Sequence, residues 1–439
     1  MQISSSRSRA RSRGRHAASS TLSVRGAVIA ALFGSAISLA HAETPSFSAL
    51  LARAQGSAPQ LLEQMANVRA AQADVRQASA WRNPTLDATF ENLHAPETGG
   101  VSQRQDTYAL TQVFELGGKR AARIEAEQHK AAAAGTRERQ ARLTFATELA
   151  LAYAIAEAMQ ERQAVAEAAL ERAGDDLRAA QALVKAGREA ELRLAQARAS
   201  AAAASAAQQS AVADATEALA RLAALVGSSE PFTRIDHPFM ARVAAAGTAS
   251  GTAAATAAAW TPEQSPALAA AAAERDAFVA QVRVEQKRAI PDIGVSLGVR
   301  RFAWSSERAA TVGVTASIPL FDRNRSGVDA ARERANGAAL RVEAVRLDAV
   351  AARRAALAQA AASEQRLKAA EEGETAALEA YRLGRVGYEA GKTPLLELLS
   401  IRRALSEAQA LTIDTRLARV RALAALSLAE GRLVFGEAP

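Results

Sequence analysis

The sequence predicts a mainly α-helical protein with a small β part, in which a unit of helix, β-hairpin, long helix and helix occurs twice. Two stretches, 107–120 and 310–325, each lead from a short alternating segment through a corner into a long helix rich in Ala, Arg and Glu. The positions of prolines and glycines repeat at a nearly constant offset. Aromatic residues make up only 4% of the 439 residues, which favours closely packed helices over a large compact core.

The offset can be measured between residues that end helices or strands. Three pairs are separated by 207 positions: Pro59 and Pro266, Pro84 and Pro291, and Phe114 and Phe321. Two later pairs are separated by 204 positions: Gly187 and Gly391, and Gly227 and Gly431. The offset changes once, by three residues, inside the long helix. This regularity indicates an internal duplication.

Residues 1–42 are predicted to be a signal peptide, with an uncleaved anchor as the alternative. They contain six arginines, no acidic residue, an apolar run and the small-x-small sequence Ala40-His41-Ala42. Of the 54 basic residues, these six leave 48 against 46 acidic ones, so the net charge of +8 belongs mostly to the leader. We therefore expect no nucleic-acid partner. No later stretch is apolar for the ~18 residues that a transmembrane helix needs.

The first repeat is assigned to residues 43–230. Asn83-Pro84 ends its first helix, because the residue before proline disfavours the α region. At ~1.5 Å per residue the long helix is roughly 100 Å long. The predicted elements are a helix at 59–82, strands at about 85–92 and 107–115, a long helix at 119–185 and a helix at 189–226.

Residues 231–264 show no clear period and are predicted to be a linker or an irregular segment. The second repeat is assigned to residues 265–439, and its long helix is expected to end where Gly384, Gly387 and Gly391 follow one another. The predicted elements are a helix at 265–288, strands at about 292–302 and 310–320, a long helix at 326–381 and a helix at 393–430.

The four strands have one apolar and one polar face, and at about ten residues they are long enough to cross a bilayer when tilted. Four strands cannot close a barrel, and open edges are costly in lipid, so three chains would have to pool 12 strands. Phe90, Phe302 and Trp304 are candidates for the membrane interfaces. The alternative is two surface hairpins on a soluble helical protein. The residues expected to line a wet lumen are Asp87, Thr89, Glu91, Thr311, Thr315 and Ser317.

On this duplicated unit, and on the Ser317-Ile-Pro-Leu-Phe-Asp322 corner, the sequence resembles the TolC-like outer-membrane efflux family. The corner Phe114-Glu-Leu-Gly-Gly-Lys-Arg120 resembles the branch that serves heavy-metal (cobalt–zinc–cadmium type) exporters of the resistance–nodulation–division class. The resemblance implies a homotrimer with a 12-stranded β-barrel in the outer membrane, continued by a periplasmic α-helical barrel. It also implies a passive exit duct for heavy-metal cations, served by a periplasmic adaptor protein and an inner-membrane pump.

The resemblance places two groups of residues at the periplasmic end. The tip residues expected to contact the adaptor are Lys185, Gly187, Arg188, Gly387, Tyr388, Gly391 and Lys392. The residues expected to form the pore constriction are Arg193, Gln196, Glu397 and Ser400. Only Glu397 is acidic, which departs from the acidic ring of family members. An Arg193–Glu397 pair that locks the closed tip is one hypothesis, and two solvated helix-face charges are the alternative.

Other chemistry has little support in the sequence. The absence of cysteine excludes disulfides, thiol catalysis and cysteine metal sites. Glu91, His94 and Glu97 fit a polar loop better than a metal site, and Gly118-Lys119 lacks the spacing of a phosphate-binding loop. We expect no enzyme activity and no cofactor. The alternative function is a soluble periplasmic coiled-coil adaptor or structural protein, although an adaptor resembles a single helical hairpin flanked by Gly-rich β modules.

Overall fold

The computed structural model describes residues 45–94, 97, 99–243, 260–390, 392–433 and 435. The predicted signal peptide, Gly391 and the Ala-rich stretch 244–259 lie outside these residues. The helices are α1 (Phe47–Ser57), α2 (Pro59–Ser79), α3 (Lys119–Lys185), α4 (Glu191–Val226), α5 (Pro266–Lys287), α6 (Arg325–Glu389) and α7 (Leu395–Ala429). The strands are β1 (Thr85–Glu91), β2 (Gln105–Phe114), β3 (Ile293–Phe302) and β4 (Arg308–Ala316). The predicted mainly α fold with a small β part is confirmed. None of the helices in the described ranges is long and apolar enough to cross a membrane.

The four strands form one antiparallel sheet in the order β1-β2-β3-β4. Their register separates the two faces, because side chains alternate along each strand. One row across the sheet consists of Leu86, Leu110, Leu297 and Val312, which are 75%, 51%, 60% and 73% exposed. The next row, on the opposite face, contains Asp87 and three small residues. The sheet therefore presents a large apolar face that no other part of the described chain covers.

The helices pack side by side below the sheet, with α3 in the middle. In its sheet-proximal half α3 packs between α2 and α5, and in its distal half between α4 and α7. Both seams carry ion pairs, such as Arg283 with Glu125 and Arg416 with Glu161. Helix α6 packs mainly against α5 and α7. The layer is therefore bounded on one side by α2 and α4 and on the other by α6.

The core lies halfway along the helices, where α1 and the mid-chain segment meet α3 and α4. The ring of Phe239 lies 4.9 Å from that of Phe47 and 5.4 Å from that of Tyr153, measured between centroids. The sequence predicted a linker or irregular segment here. Residues 231–238 are irregular in path, yet Phe232 and Met240 are buried, so the segment is a packed part of the core. Helix α1 was not predicted.

Two predicted ends differ from the structure. Helix α6 continues past Tyr381 to Glu389, because Gly384 makes a close helix contact rather than a helix end: a Cβ there would lie 2.8 Å from Ile401 Cδ1. Strand β4 ends at Ala316 rather than at residue 320, since Pro319 has no N–H to donate to a strand ladder. Ser317 therefore lies beyond the strand and does not belong to its polar face.

Candidate channel site

The polar face of the sheet holds most of the residues that were expected to line a lumen. Asp87, Thr89, Glu91, Thr311 and Thr315 lie on it. The hydroxyl of Thr111 donates to Asp87 Oδ2 at 3.2 Å. The strand geometry brings these groups together from both repeats, which makes this face wettable along its length.

A charged network at the loop end of this face joins the two hairpins. The Arg300 guanidinium donates to Thr107 Oγ1 at 3.0 Å and to Gln105 Oε1 at 3.2 Å, and it lies 3.8 Å from Glu91 Oε2. Glycine keeps the rest of the face open. A Cβ on Gly298 would lie 2.5 Å from the Tyr108 carbonyl oxygen, so no larger residue fits there without a shift.

A second network fixes the junction between the first hairpin and its long helix. Glu115, whose side chain is 7% exposed, accepts two hydrogen bonds from Arg123 at 2.6 and 3.0 Å, and Arg82 lies 3.3 Å away. These bonds lower the pKa of Glu115. Lys119 donates to Asp292 at 2.7 Å, which ties the start of α3 to the second repeat. The junction therefore holds the sheet and the helices in one fixed arrangement.

The two corners solve the same geometric problem with different residues. In the first corner Gly117 has a positive φ, and a Cβ there would lie 2.2 Å from Ile290 Cδ1. In the second corner Asn324 adopts positive φ, and its side-chain amide donates to the Glu285 backbone and carboxylate oxygens at 2.9 and 2.8 Å. Asparagine tolerates this conformation better than most residues do.

The predicted tip residues lie at the turns that follow α3 and α6. Gly187 has a φ of +69°, and Arg188 N–H donates to the Leu183 carbonyl oxygen at 3.0 Å, which closes the helix end. Lys392 N–H donates to the Gly387 carbonyl oxygen at 2.8 Å. Lys185, Arg188 and Lys392 are exposed and Tyr388 is half-buried, whereas Gly391 lies outside the described residues.

The four predicted constriction residues lie just beyond these turns. The Arg193 guanidinium lies 3.5 Å from Glu189 Oε2, one turn earlier on its own side of the tip. Gln196, Glu397 and Ser400 are exposed, and the Ser400 hydroxyl donates to the Glu397 carbonyl oxygen at 2.7 Å. Within the described chain, Arg193 does not pair with Glu397. The hypothesised lock is therefore not formed inside one chain.

A buried charged cluster near the tip was not predicted. Arg402 of α7 forms an ion pair with Asp176 of α3, and their side chains are only 8% and 17% exposed. Burial, and then the nearby Arg172 charge, lower the pKa of Arg402. The Arg172 guanidinium lies 5.8 Å from the ring centre of Tyr381 on α6. The cluster joins three helices, but in sequence these residues look like any other charges on a solvated helix face.

The comparison with known proteins follows this geometry. The family described as outer membrane efflux protein matches residues 50–228 and 261–432, so the two matched segments correspond to the two repeats. The chain belongs to this outer membrane efflux protein family. It is an outer-membrane channel protein of efflux, with its helical part in the periplasm. The predicted family, function class and location are thereby confirmed.

Within the family, the chain is similar to heavy-metal resistance proteins. It is 54% identical over 400 residues to the nickel-cobalt-cadmium resistance protein NccC of Alcaligenes xylosoxydans xylosoxydans, covering 91% of this chain and 90% of the relative. It is 53% identical over 402 residues to the nickel and cobalt resistance protein CnrC of Cupriavidus metallidurans, covering 91% and 94%. The predicted heavy-metal branch is confirmed.

The fold is also that of solved outer-membrane proteins. The structure of VceC from Vibrio cholerae aligns with a TM-score of 0.70 at 22% identity, over 88% of this chain and 96% of that chain. As for other chemistry, the described residues contain no group of three His, Asp or Glu side chains that could hold a metal ion. Glu91, one of the three loop residues considered, lies near Arg300 instead.

Proposed function

We propose that the protein is the outer-membrane exit duct of a tripartite efflux system, assembled as a homotrimer. One observation carries this proposal. The free edges of the sheet, β1 and β4, belong to the same two sides of the chain as the bounding helices of the helical layer, α2 with α4 and α6. A second copy that pairs its β1 with this β4 would also bring its α2 and α4 against this α6.

Such a contact joins two different surfaces, and a contact of this kind closes into a ring when its rotation divides a full turn. Three chains would give a 12-stranded barrel, which leaves no unpaired strand edge in the lipid. The exposed apolar row of Leu86, Leu110, Leu297 and Val312 would then face the lipid. The polar face with Asp87 and Arg300 would face the water-filled lumen.

The cargo proposed for the duct is divalent heavy-metal cations, with nickel and cobalt as the first candidates. The support is the similarity to proteins named for resistance to these metals. The cargo would pass through the polar lumen without covalent chemistry, so the protein is proposed not to be an enzyme. The open glycine positions of β3, such as Gly298, suit a wide lumen rather than a selective binding site.

The partners proposed for the tip are a periplasmic adaptor and an inner-membrane pump of the resistance–nodulation–division type. The two turns would present the exposed cations Lys185, Arg188 and Lys392 to the adaptor, beside Gly187, Gly387, Tyr388 and Gly391. Arg193, Gln196, Glu397 and Ser400 would surround the constriction. In this proposal Arg193 can meet Glu397 only between chains, and the Arg402–Asp176 pair holds the helices of each chain together when the tip is closed.

Cysteine cross-linking tests the assembly, and the cysteine-free chain gives a clean background. Ala88 of β1 and Ala310 of β4 lie in the same row of the sheet, at its two free edges. In the doubly substituted A88C/A310C protein, a flexible bis-maleimide is expected to give covalent dimers and trimers and no larger species. The single variants A88C and A310C serve as controls and should stay monomeric on a denaturing gel. Monomers only from the double variant would contradict the proposed ring.

The cargo is tested separately in cells. A strain that lacks the outer-membrane component of its nickel and cobalt efflux system should regain tolerance when it expresses this protein with the matching adaptor and pump. An R402L variant that still assembles should alter the tolerance, because the tip would no longer close normally. Failure of the wild-type protein to restore tolerance, with normal assembly, would reject the metal cargo and leave the duct in place.

A further inference from the structure

The row of side chains nearest the loops differs from the other rows on the apolar face of the sheet. Arg301 of β3 lies directly opposite Arg308 of β4, on the face that carries Leu297 and Val299. Both arginines are exposed, and neither guanidinium has a hydrogen-bond or ion-pair partner in the part of the chain that the structure describes. Like charges directly opposite each other in an antiparallel pair weaken the pairing. This row therefore lacks an anion.

The first hairpin shows that the arrangement is not general. Its part of the same row contains Phe90 and Asp106. Arg104 donates to both oxygens of Asp106, at 2.8 and 3.1 Å, and its guanidinium lies 5.9 Å from the Phe90 ring centre. Arg300, the neighbour of Arg301, has three partners on the polar face. The unpaired charge is thus confined to Arg301 and Arg308.

We infer that Arg301 and Arg308 form a binding site for the phosphate groups of anionic lipid headgroups in the outer leaflet of the membrane. A guanidinium has planar paired donors that match phosphate oxygens, and two of them can share one phosphate. The inference rests on the proposed function, which places this sheet in the membrane. It names a lipid partner for the loop end of the apolar face.

The position of the pair along the strand fits headgroups rather than acyl chains. Arg301 is eight residues from Ile293 at the other end of β3, a path of about 27 Å along the strand. With the usual tilt of about 40°, this spans most of an apolar band about 25 Å tall, so the arginines lie at its outer border. The apolar rows of Val299 and Leu297 lie beside them on the same face and would contact the acyl chains of the same lipid. Free phosphate would gain no such contact.

Lipid titration of the assembled, detergent-extracted protein tests the site. Diphosphoryl lipid A is added in neutral mixed micelles, and bound lipid is measured by native mass spectrometry together with the shift of the thermal unfolding midpoint. The wild-type protein is expected to bind this lipid roughly ten- to thirtyfold more tightly than R301Q/R308Q does. The R354Q/R366Q protein removes two exposed charges from α6 and should bind like the wild type.

Three further measurements make the result decisive. In neutral detergent without lipid, R308Q alone should be at least as stable as the wild type, because it removes a like-charge contact, whereas lipid A should stabilise it less. Equal binding of dephosphorylated lipid A, or equal stabilisation by inorganic phosphate, would overturn the lipid-phosphate assignment. Equal binding by the wild type and R301Q/R308Q would overturn it as well. Normal trimers and conductance of R301Q/R308Q in neutral lipid would show that the proposed duct is unaffected.

Discussion

The first and second repeats are closed by the same backbone joint, in which a glycine of positive φ at the end of the last helix lets a carbonyl oxygen approach. A Cβ on Gly227 would lie 2.4 Å from the Ser57 carbonyl oxygen, and one on Gly431 would lie 2.6 Å from the Gln264 carbonyl oxygen. The offsets of the repeat relate these positions to each other. The duplication therefore preserved the way in which each unit closes.

The interiors beside this joint differ. In the first repeat Val226 and Leu149 are buried in an apolar core that also contains Tyr153. In the second repeat the residue before the glycine is Glu430, which lies 3.2 Å from the buried Arg353, and the Arg353 guanidinium lies 4.7 Å from the ring centre of Trp260.

Next to this ion pair, described residues of α5, α6 and α7 line a groove of about 810 Å³ in which alanine is the commonest residue. The comparison teaches that the backbone joint tolerates two kinds of filling, one apolar and one ionic.

The largest expected effect comes from truncating the apolar core of the first repeat. Tyr153→Ala should destabilise the protein by about 3–5 kcal/mol, because a fully buried ring in contact with Phe47 and Phe239 is lost. Leu428→Ala, in the groove of the second repeat, should cost only about 1 kcal/mol, since its side chain is partly exposed. Thermal unfolding in detergent, followed by circular dichroism, measures both. Equal losses would remove the distinction between the two interiors.

The ionic interior of the second repeat can be converted into the apolar one of the first. Glu430→Val should cost about 3–5 kcal/mol, because it leaves Arg353 buried without its carboxylate. Arg353→Leu should cost less, since Arg432 also pairs with Glu430 and remains. The double variant R353L/E430V reproduces the residue types of Leu149 and Val226 and should return to within about 1–2 kcal/mol of the wild type. Additive losses in this double-mutant cycle would contradict the equivalence.

Glu157 gives the first repeat a pH dependence. Its buried carboxylate accepts backbone hydrogen bonds from Phe239, at 3.0 and 3.1 Å, and from Met240, at 2.9 Å. Burial raises the pKa of Glu157 to about 7, against the hydrogen bonds from these amides; Glu161 raises it further, and Arg242 lowers it. The unfolded chain loses this proton at a lower pH than the native one.

The contribution of Glu157 to stability is therefore largest below about pH 4.5 and declines as the pH rises towards about 7. Glu157→Gln keeps an acceptor but cannot ionise, so the slope of the unfolding midpoint between these pH values should become flatter. Glu157→Ala should cost about 2–4 kcal/mol at any pH, because two amides lose their acceptor. Identical slopes for the wild type and Glu157→Gln would show that this carboxyl does not set the pH dependence.

The smallest effects test what the repeats share. Gly227→Ala and Gly431→Ala should each cost about 1–3 kcal/mol, since both glycines have positive φ and both meet a carbonyl oxygen. Gly373→Ala is the matched control, because this helical glycine has open space around it and should gain about 0.5–1 kcal/mol. A tolerated substitution at only one of the two joints would show that the joints are not equivalent.

The features that the sequence predicted well are those that local patterns encode. Prolines and glycines place the strands and the turns, and alternation separates the faces of the sheet. Helix α1 was missed because a short helix with Gly56 near its end gives a weak periodic signal, and its role depends on Phe47 packing against distant residues. The Arg402–Asp176 pair could not be predicted, since only the packing of α7 on α3 distinguishes it from surface charges.

Single-channel recording in a planar bilayer tests the central claim most directly. The detergent-extracted protein, shown by cross-linking to contain three chains, is added to one side of a neutral bilayer. Discrete conductance steps are expected, because the polar faces of three sheets would enclose a water-filled lumen. A properly assembled trimer that inserts into the bilayer and gives no conductance, even when the tip is loosened by R402L, would contradict the account.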